Sequence, residues 1–235
     1  MNAPARPKRT LGRLLLRGLL AVLLLAGIAL LGVYYALHWR PSVETYPMQG
    51  VDVSHHQSEI HWPTLHAAGA DFAYIKATEG GDFRDPDFAR NWQETAATGM
   101  KRGAYHFFTL CTLAADQATN FIATVPRDPA ALPPAVDLEF GGNCAARPSR
   151  DVLIGELTRF LTAIEAHSGK PAILYLTREF DDAYQVSDAF DRSLWLRRLA
   201  FPPDYGARPW VMWQATNIRR VEGVEGPIDW NVVRP

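Results

Sequence analysis

Twenty consecutive residues without a charge, Gly18 to Leu37, divide this 235-residue chain. As a helix they extend about 30 Å, the thickness of a bilayer's hydrocarbon core. Arg6, Lys8, Arg9, Arg13 and Arg17 precede the run with no acidic residue among them, and only His38 and Arg40 follow closely. This asymmetry puts the N-terminus in the cytoplasm and everything downstream in the periplasmic or extracellular space. A cleaved signal peptide is the competing reading, with small residues at Gly27-Ile28-Ala29. The apolar run continues past that point through Leu30, Leu31, Val33, Tyr34 and Tyr35, which favours an uncleaved signal anchor and a single-pass membrane protein.

The organisation that follows is a basic cytoplasmic segment (1–17), a transmembrane helix (18–37), a linker (38–49) and one domain (50–235). The linker is assigned from Pro41, Pro47 and the lack of a clear period. The remaining domain is long enough to bury one hydrophobic core. Whole-chain net charge is −1, so without the five N-terminal cations the rest is mildly acidic. That argues against nucleic acid as a ligand. Cys111 and Cys144 are the only cysteines. In an exported domain a disulfide is their natural reading, since no paired Cys-x-x-Cys suggests a metal site.

Strand-like segments fall at 50–54, 72–77, 103–108 and 135–140, with helices between them. The clearest helix signal has Asp85 as N-cap, Pro86 at the first helical position and Gly99 past the end. A second helix follows Thr112, with Ala118, Phe121, Ile122 and Val125 on one side. A third spans 149–168, with Leu153, Leu157, Phe160, Leu161 and Ile164 spaced by three and four. Further strands read at 171–176, 193–198, 209–214 and 227–231, with connections too short or irregular for regular helices. Alternating strands and helices imply an α/β fold with a parallel sheet. Eight strands imply an irregular (β/α)8-like barrel, its C-terminal half less helical, preceded by one transmembrane helix.

In such a barrel the C-terminal strand ends form the functional face. The segment AVDLEF (135–140) alternates, placing Asp137 and Glu139 on one strand face and Val136, Leu138 and Phe140 on the other. By itself this also describes the solvated face of an ordinary sheet. The other strand ends add Asp52 and Ser54, then Lys76, Thr78 and Glu79, then Tyr105 and His106. The second half adds Tyr175 and Thr177, Trp213 and Gln214, and Asp229 and Asn231. Carboxylates, hydroxyls and aromatics converging on one mouth suit a carbohydrate cleft, where rings stack on sugar faces and polar groups fix hydroxyls.

The ordered blocks GVDVSHHQ (50–57), YIKATEGGDFRD (74–85), GAYHFF (103–108), PAVDLE (134–139), LYLT (174–177), WVMWQ (210–214) and GPIDWN (226–231) together resemble family 25 of the glycoside hydrolases, the lysozyme-type muramidases. The likeness spans 50–235 and departs from the family pattern at Ser58 and Val233, beside rather than on acidic positions. It implies hydrolysis of the β-1,4 bond between N-acetylmuramic acid and N-acetylglucosamine in peptidoglycan, with no cofactor. It also implies Glu139 as general acid, Asp137 as assisting carboxylate, and Asp52 and Asp229 as further acids of the cleft. Clustered carboxylates repel one another's charge, so at least one proton should be held above its ordinary range. Lys76, Glu79, Tyr105, Tyr175, Trp213 and Gln214 are the expected substrate contacts. Each aromatic among them has core packing as its competing role.

Glycan strands and the membrane are the expected partners. A non-catalytic peptidoglycan-binding domain on the same fold is the alternative. His55, His56, His61 and His66 raise the thought of a zinc amidase, but they lack H-E-x-x-H spacing and a completing partner. No metal is expected.

Overall fold

A computed structural model describes residues 9–235 of the chain. Arg6 and Lys8 of the basic segment lie outside the described residues. The chain divides after Trp39 into two compact units. The first contains helix α1 (Arg9–His38), of which Gly12–His38 is long and apolar enough to cross a membrane. Its apolar side chains from Leu14 to Tyr35 are more than half exposed. A signal anchor and a signal peptide share these features.

The second unit, Arg40–Pro235, is a closed barrel. Its elements are β1 (Gln49–Val53), α2 (Trp62–Ala67), β2 (Phe72–Glu79), β3 (Phe83–Arg84), α3 (Phe88–Ala97), β4 (Lys101–Phe107), α4 (Ala114–Thr124) and β5 (Ala135–Leu138). They continue as α5 (Arg150–Ser168), β6 (Ile173–Leu176), α6 (Arg178–Tyr184), α7 (Val186–Ala189), β7 (Ser193–Arg197), β8 (Met212–Arg219) and β9 (Ile228–Val233). The barrel order is β1-β9-β8-β7-β6-β5-β4-β2, closed by β1 against β2, with β3 a short flap on β2. All barrel neighbours are parallel except β9, which runs antiparallel to both β1 and β8. The eight barrel strands match the expected number. The reversed β9 and the helix-free connection from β7 to β8 make the barrel irregular.

The local physics follows the sequence closely in α5. Ser149 caps its N-terminus by accepting from Val152 N, and Gly169 ends it in the left-handed conformation at φ 71°. Leu153, Leu157, Phe160, Leu161 and Ile164 are all buried, each contributing about 1.5–3 kcal/mol of apolar burial. Phe160 meets Phe121 of α4 and Phe108 at the end of β4.

Two local expectations shift. α3 begins at Phe88 rather than Pro86, because Asp85 does not act as its cap. The Asp85 carboxylate accepts from His55 N (2.9 Å), His55 Nδ1 (2.8 Å) and Asp87 N (3.0 Å). The connection from β6 to β7, expected to be irregular, carries the short helices α6 and α7.

Residues 40–48, expected as linker, lie against the barrel. Pro41 is buried, Arg40 stacks over the Trp230 ring, and Tyr46 packs on Trp210 and Trp213. Gln49 Nε2 donates to Pro41 O and Tyr46 O, and its Oε1 accepts from Trp230 Nε1.

Inside the barrel, Phe72, Tyr74, Ala135, Ile173, Tyr175, Trp195 and Met212 form the apolar floor. Gly103 of β4 makes room for the Tyr74 ring, since a Cβ there would stand 2.4 Å from Tyr74 Cε1. The cleft opens above this floor.

Candidate active site

Alternation along β5 turns Ala135 and Asp137 inward, while Val136 and Leu138 are fully buried on the outer side. Glu139 follows at the strand end, and both carboxylates line a cleft of about 360 Å³. Asp52 of β1 and Asp229 of β9 face each other as register partners on neighbouring antiparallel strands. Asp229 reaches the mouth from the start of its strand because β9 is reversed. Lys76, Glu79, Tyr105, Tyr175 and Gln214 also line the cleft.

Strict alternation from Lys76 would turn Thr78 inward and Glu79 outward. A bulge between Lys76 and Thr78 reverses this by pairing Lys76 with Tyr105 but Thr78 with His106. Glu79 therefore joins Lys76 in the cleft, at 2.7 Å from its Nζ. Thr78 Oγ1 and His106 Nδ1 meet on the outer side at 2.7 Å, and His106 Nε2 contacts Gln117 Oε1. Burial lowers the His106 pKa to about 4, so it stays neutral in the core.

At the cleft floor a chain of hydrogen bonds fixes Asp52. Tyr175 Oη donates to Gln214 Oε1 (3.0 Å), and Gln214 Nε2 donates to Asp52 Oδ2 (3.0 Å). Asn231 Nδ2 donates to the same oxygen (2.6 Å), while Trp195 Nε1 donates to Asn231 Oδ1 (2.8 Å). Tyr175 is thus a buried, bonded ring with one edge on the cleft. Trp213 does not reach the cleft. It neighbours the inward Gln214 on β8, so its side chain takes the opposite face, where Nε1 donates to Arg198 O and the ring packs on Tyr46 and Trp210.

Burial raises the pKa of all four acids. Asp137 lies well above the carboxylate range, through burial first and then the charges of Glu139 and Asp52. Asp229 does so through burial and Asp52. For Asp52, burial outweighs the opposing hydrogen bonds from Asn231 and Gln214. Glu139 rises to about 6, through burial opposed by the Arg197 guanidinium 3.5 Å away. Burial and the nearby carboxylates also keep Tyr105 and Tyr175 as neutral phenols. Asp137 lines the cleft, and its Oδ1 is buried without a hydrogen-bond partner among the described residues.

Several cleft residues escape the sequence reading. Trp195 and Arg197 of β7 line it, and the alternation in SLWLR was the available signal. Asn143, which supports the cleft without lining it, has no such signal. Its Nδ2 donates to Glu139 O and Phe108 O, and its Oδ1 accepts from Leu110 N and Cys144 N, tying the Glu139 turn to the loop after β4. The Cys111–Cys144 disulfide joins the same two loops. His56 lines the cleft from a short 3-10 turn closed by a Ser54–Gln57 capping box.

The other candidate metal histidines have local partners: His55 with Asp85, His61 at the cap of α2, and His66 Nδ1 with Ala70 O. Among the described residues no group of three or more His, Cys, Asp or Glu is arranged to hold a metal ion.

Comparison with known proteins bears on this arrangement. The solved structure of a family 25 glycosyl hydrolase from Bacillus anthracis superposes with a TM-score of 0.75 at 38% identity, covering 83% of this chain and 93% of that one. An Escherichia coli O6:H1 protein named Uncharacterized protein YegX is 32% identical over 195 residues, 80% of this chain and 70% of its own length. Lysozyme M1 of Streptomyces globisporus is 29% identical over 201 residues, 80% and 68% of the two lengths. Residues 51–224 match the family described as Glycosyl hydrolases family 25, and the chain belongs to that family.

Proposed function

We propose that the chain is an exported, membrane-anchored muramidase that hydrolyses the β-1,4 bond between N-acetylmuramic acid and N-acetylglucosamine in peptidoglycan. The observation that carries this reading is Glu139. It is a mostly buried carboxyl on the cleft wall whose pKa of about 6 keeps a proton available in mildly acid solution. Glu139 is the general acid to the leaving glycosidic oxygen. Asp137, with its unpartnered Oδ1, orients the 2-acetamido group as that group attacks the anomeric carbon. Asp52 and Asp229 complete the polar wall. Lys76, Glu79, Tyr105, Tyr175 and Gln214 hold sugar hydroxyls and ring faces. Helix α1 serves as the anchor, with the N-terminus cytoplasmic and the barrel outside, and residues 50–235 form the catalytic domain.

Mass spectrometry of the soluble products released from purified peptidoglycan tests the assignment. The expected products end in reducing N-acetylmuramic acid, form equally in EDTA, and are absent with Glu139→Gln. The rate declines above about pH 6 as Glu139 loses its proton. Peptides freed from intact glycan would indicate an amidase instead. Sedimentation with the wall without any release would indicate a binding domain.

A further inference from the structure

Among the cleft-lining residues, Lys76 and Arg197 are the cations, set among Asp52, Glu79, Asp137, Glu139 and Asp229. Lys76 is neutralised at contact distance by Glu79. Arg197 instead makes a single long contact, Nη1 to Glu139 Oε2 at 3.5 Å, with a third of its side chain exposed. Its backbone is held in place, since Arg197 N donates to Tyr205 Oη at 3.0 Å and that hydroxyl lies 2.7 Å from Leu176 O. Arg178 stacks over the Tyr205 ring at 4.6 Å. The end of β7 is therefore built to present a guanidinium to one carboxyl.

The other groups that act on Glu139 come from several elements. Asp52 of β1 and Glu179 of α6 strengthen its hold on a proton and Lys76 of β2 weakens it, while the charge of Glu139 in turn raises the pKa of Asp137 of β5 and Asp229 of β9. The Tyr175 phenol of β6 stands near as a neutral group. Arg197 is the cation in contact.

We propose that Arg197 is a positioning residue that acts through Glu139, stabilising the carboxylate left when the proton departs and so setting the pH range over which the reaction runs. The inference rests on Glu139 being the acid. In the first step the Glu139 proton passes to the glycosidic oxygen, the bond from the anomeric carbon to that oxygen breaks, and the acetamido oxygen bonds to the anomeric carbon. The new Glu139 carboxylate lies beside Arg197. In the second step water supplies hydroxide to the anomeric carbon, the acetamido oxygen leaves, and the water's other proton returns to Glu139. Without Arg197 the acid would be protonated over a wider pH range and would donate more reluctantly.

The test is kcat against pH on peptidoglycan for the purified full chain, with R197Q, R197K and R197M beside the parent and thermal melting to verify folding. Met retains the aliphatic stem without the charge, so it covers the case in which Gln fails to fold. Loss of an opposite charge at this distance moves the alkaline limb of R197Q or R197M upward by about one pH unit, with a lower kcat on the acid plateau. R197K stays near the parent limb. The exposed Glu179 gives the opposite sign, E179Q moving the limb downward. A parent-like limb in a folded R197Q or R197M overturns the role of Arg197. A parent that cleaves no glycan overturns the muramidase reading itself, and an E139Q that still cleaves it overturns Glu139 as the acid on which the inference rests, so these failures are distinct from that of Arg197.

Discussion

Asp137 shows how a single residue carries opposing demands. It is buried beside other carboxylates and lacks a partner for Oδ1, so its charge is costly to the fold. Its folded-state pKa is raised above the unfolded value. The stability it contributes is therefore fully present below about pH 4 and is lost as pH rises through the folded-state value. Asp229 acts in the same direction. The barrel is accordingly expected to melt at a higher temperature near pH 5 than near pH 8. Asp137→Asn should remove the charge without a large change of volume, stabilising the fold at pH 8 by about 1 kcal/mol while hydrolysis collapses. A melting temperature at pH 8 that falls in this variant would count against a strained, functional carboxylate. The inward direction of Asp137 was legible from alternation in AVDLEF. Its proton affinity was not, because burial and neighbouring charge come from β1, β4, β6 and β9.

At the scale of elements, the sequence rules work where one element answers to its own residues. Helix α5 has its cap, its apolar stripe and its terminal glycine all in the primary structure. Pro86 and Asp85 misled because the Asp85 carboxylate is drawn to His55, a partner 30 residues away. The bulge in β2 was likewise invisible, since the extra residue is defined only by pairing with β4. Deleting Ala77 should remove the extra residue while leaving Thr78 opposite His106 and Glu79 opposite Phe107, so that Lys76 and Glu79 stay on the cleft face and the folded chain still cleaves glycan. Loss of cleavage in a folded deletion would show that the bulge itself shapes the cleft. The loops behind Glu139 are joined by the Cys111–Cys144 bridge and by Asn143. The paired substitution by Ser of both cysteines, which are 33 residues apart, should cost roughly 3–4 kcal/mol from loop entropy, or about 6–16 °C in melting temperature for a domain of this size. An unchanged melting curve would show that Asn143 and the surrounding packing hold these loops unaided.

For the molecule as a whole, helix α1 and the barrel dispose of their apolar residues differently. The helix side chains are exposed and apolar, while the barrel buries its own core. A chain of residues 40–235 should be soluble without detergent and melt within a degree or two of the full chain. One of residues 50–235 should melt lower, because it loses Tyr46 against Trp210 and Trp213, Arg40 over Trp230, and Gln49 between Pro41 and Trp230. Equal melting of the two truncated chains would mean that residues 40–49 add nothing to the barrel. The sequence by itself determined the apolar helix, the eight strands, the disulfide partners and the convergence of acidic strand ends, because each depends on periodicity, composition or spacing along the chain. Only the tertiary structure decided that β9 runs backwards, that Trp213 faces away from the cleft, and that Arg197 stands against Glu139 with the acids' protons raised. Those outcomes depend on which strands become neighbours and how far their charges lie from water, and both are set when the barrel closes.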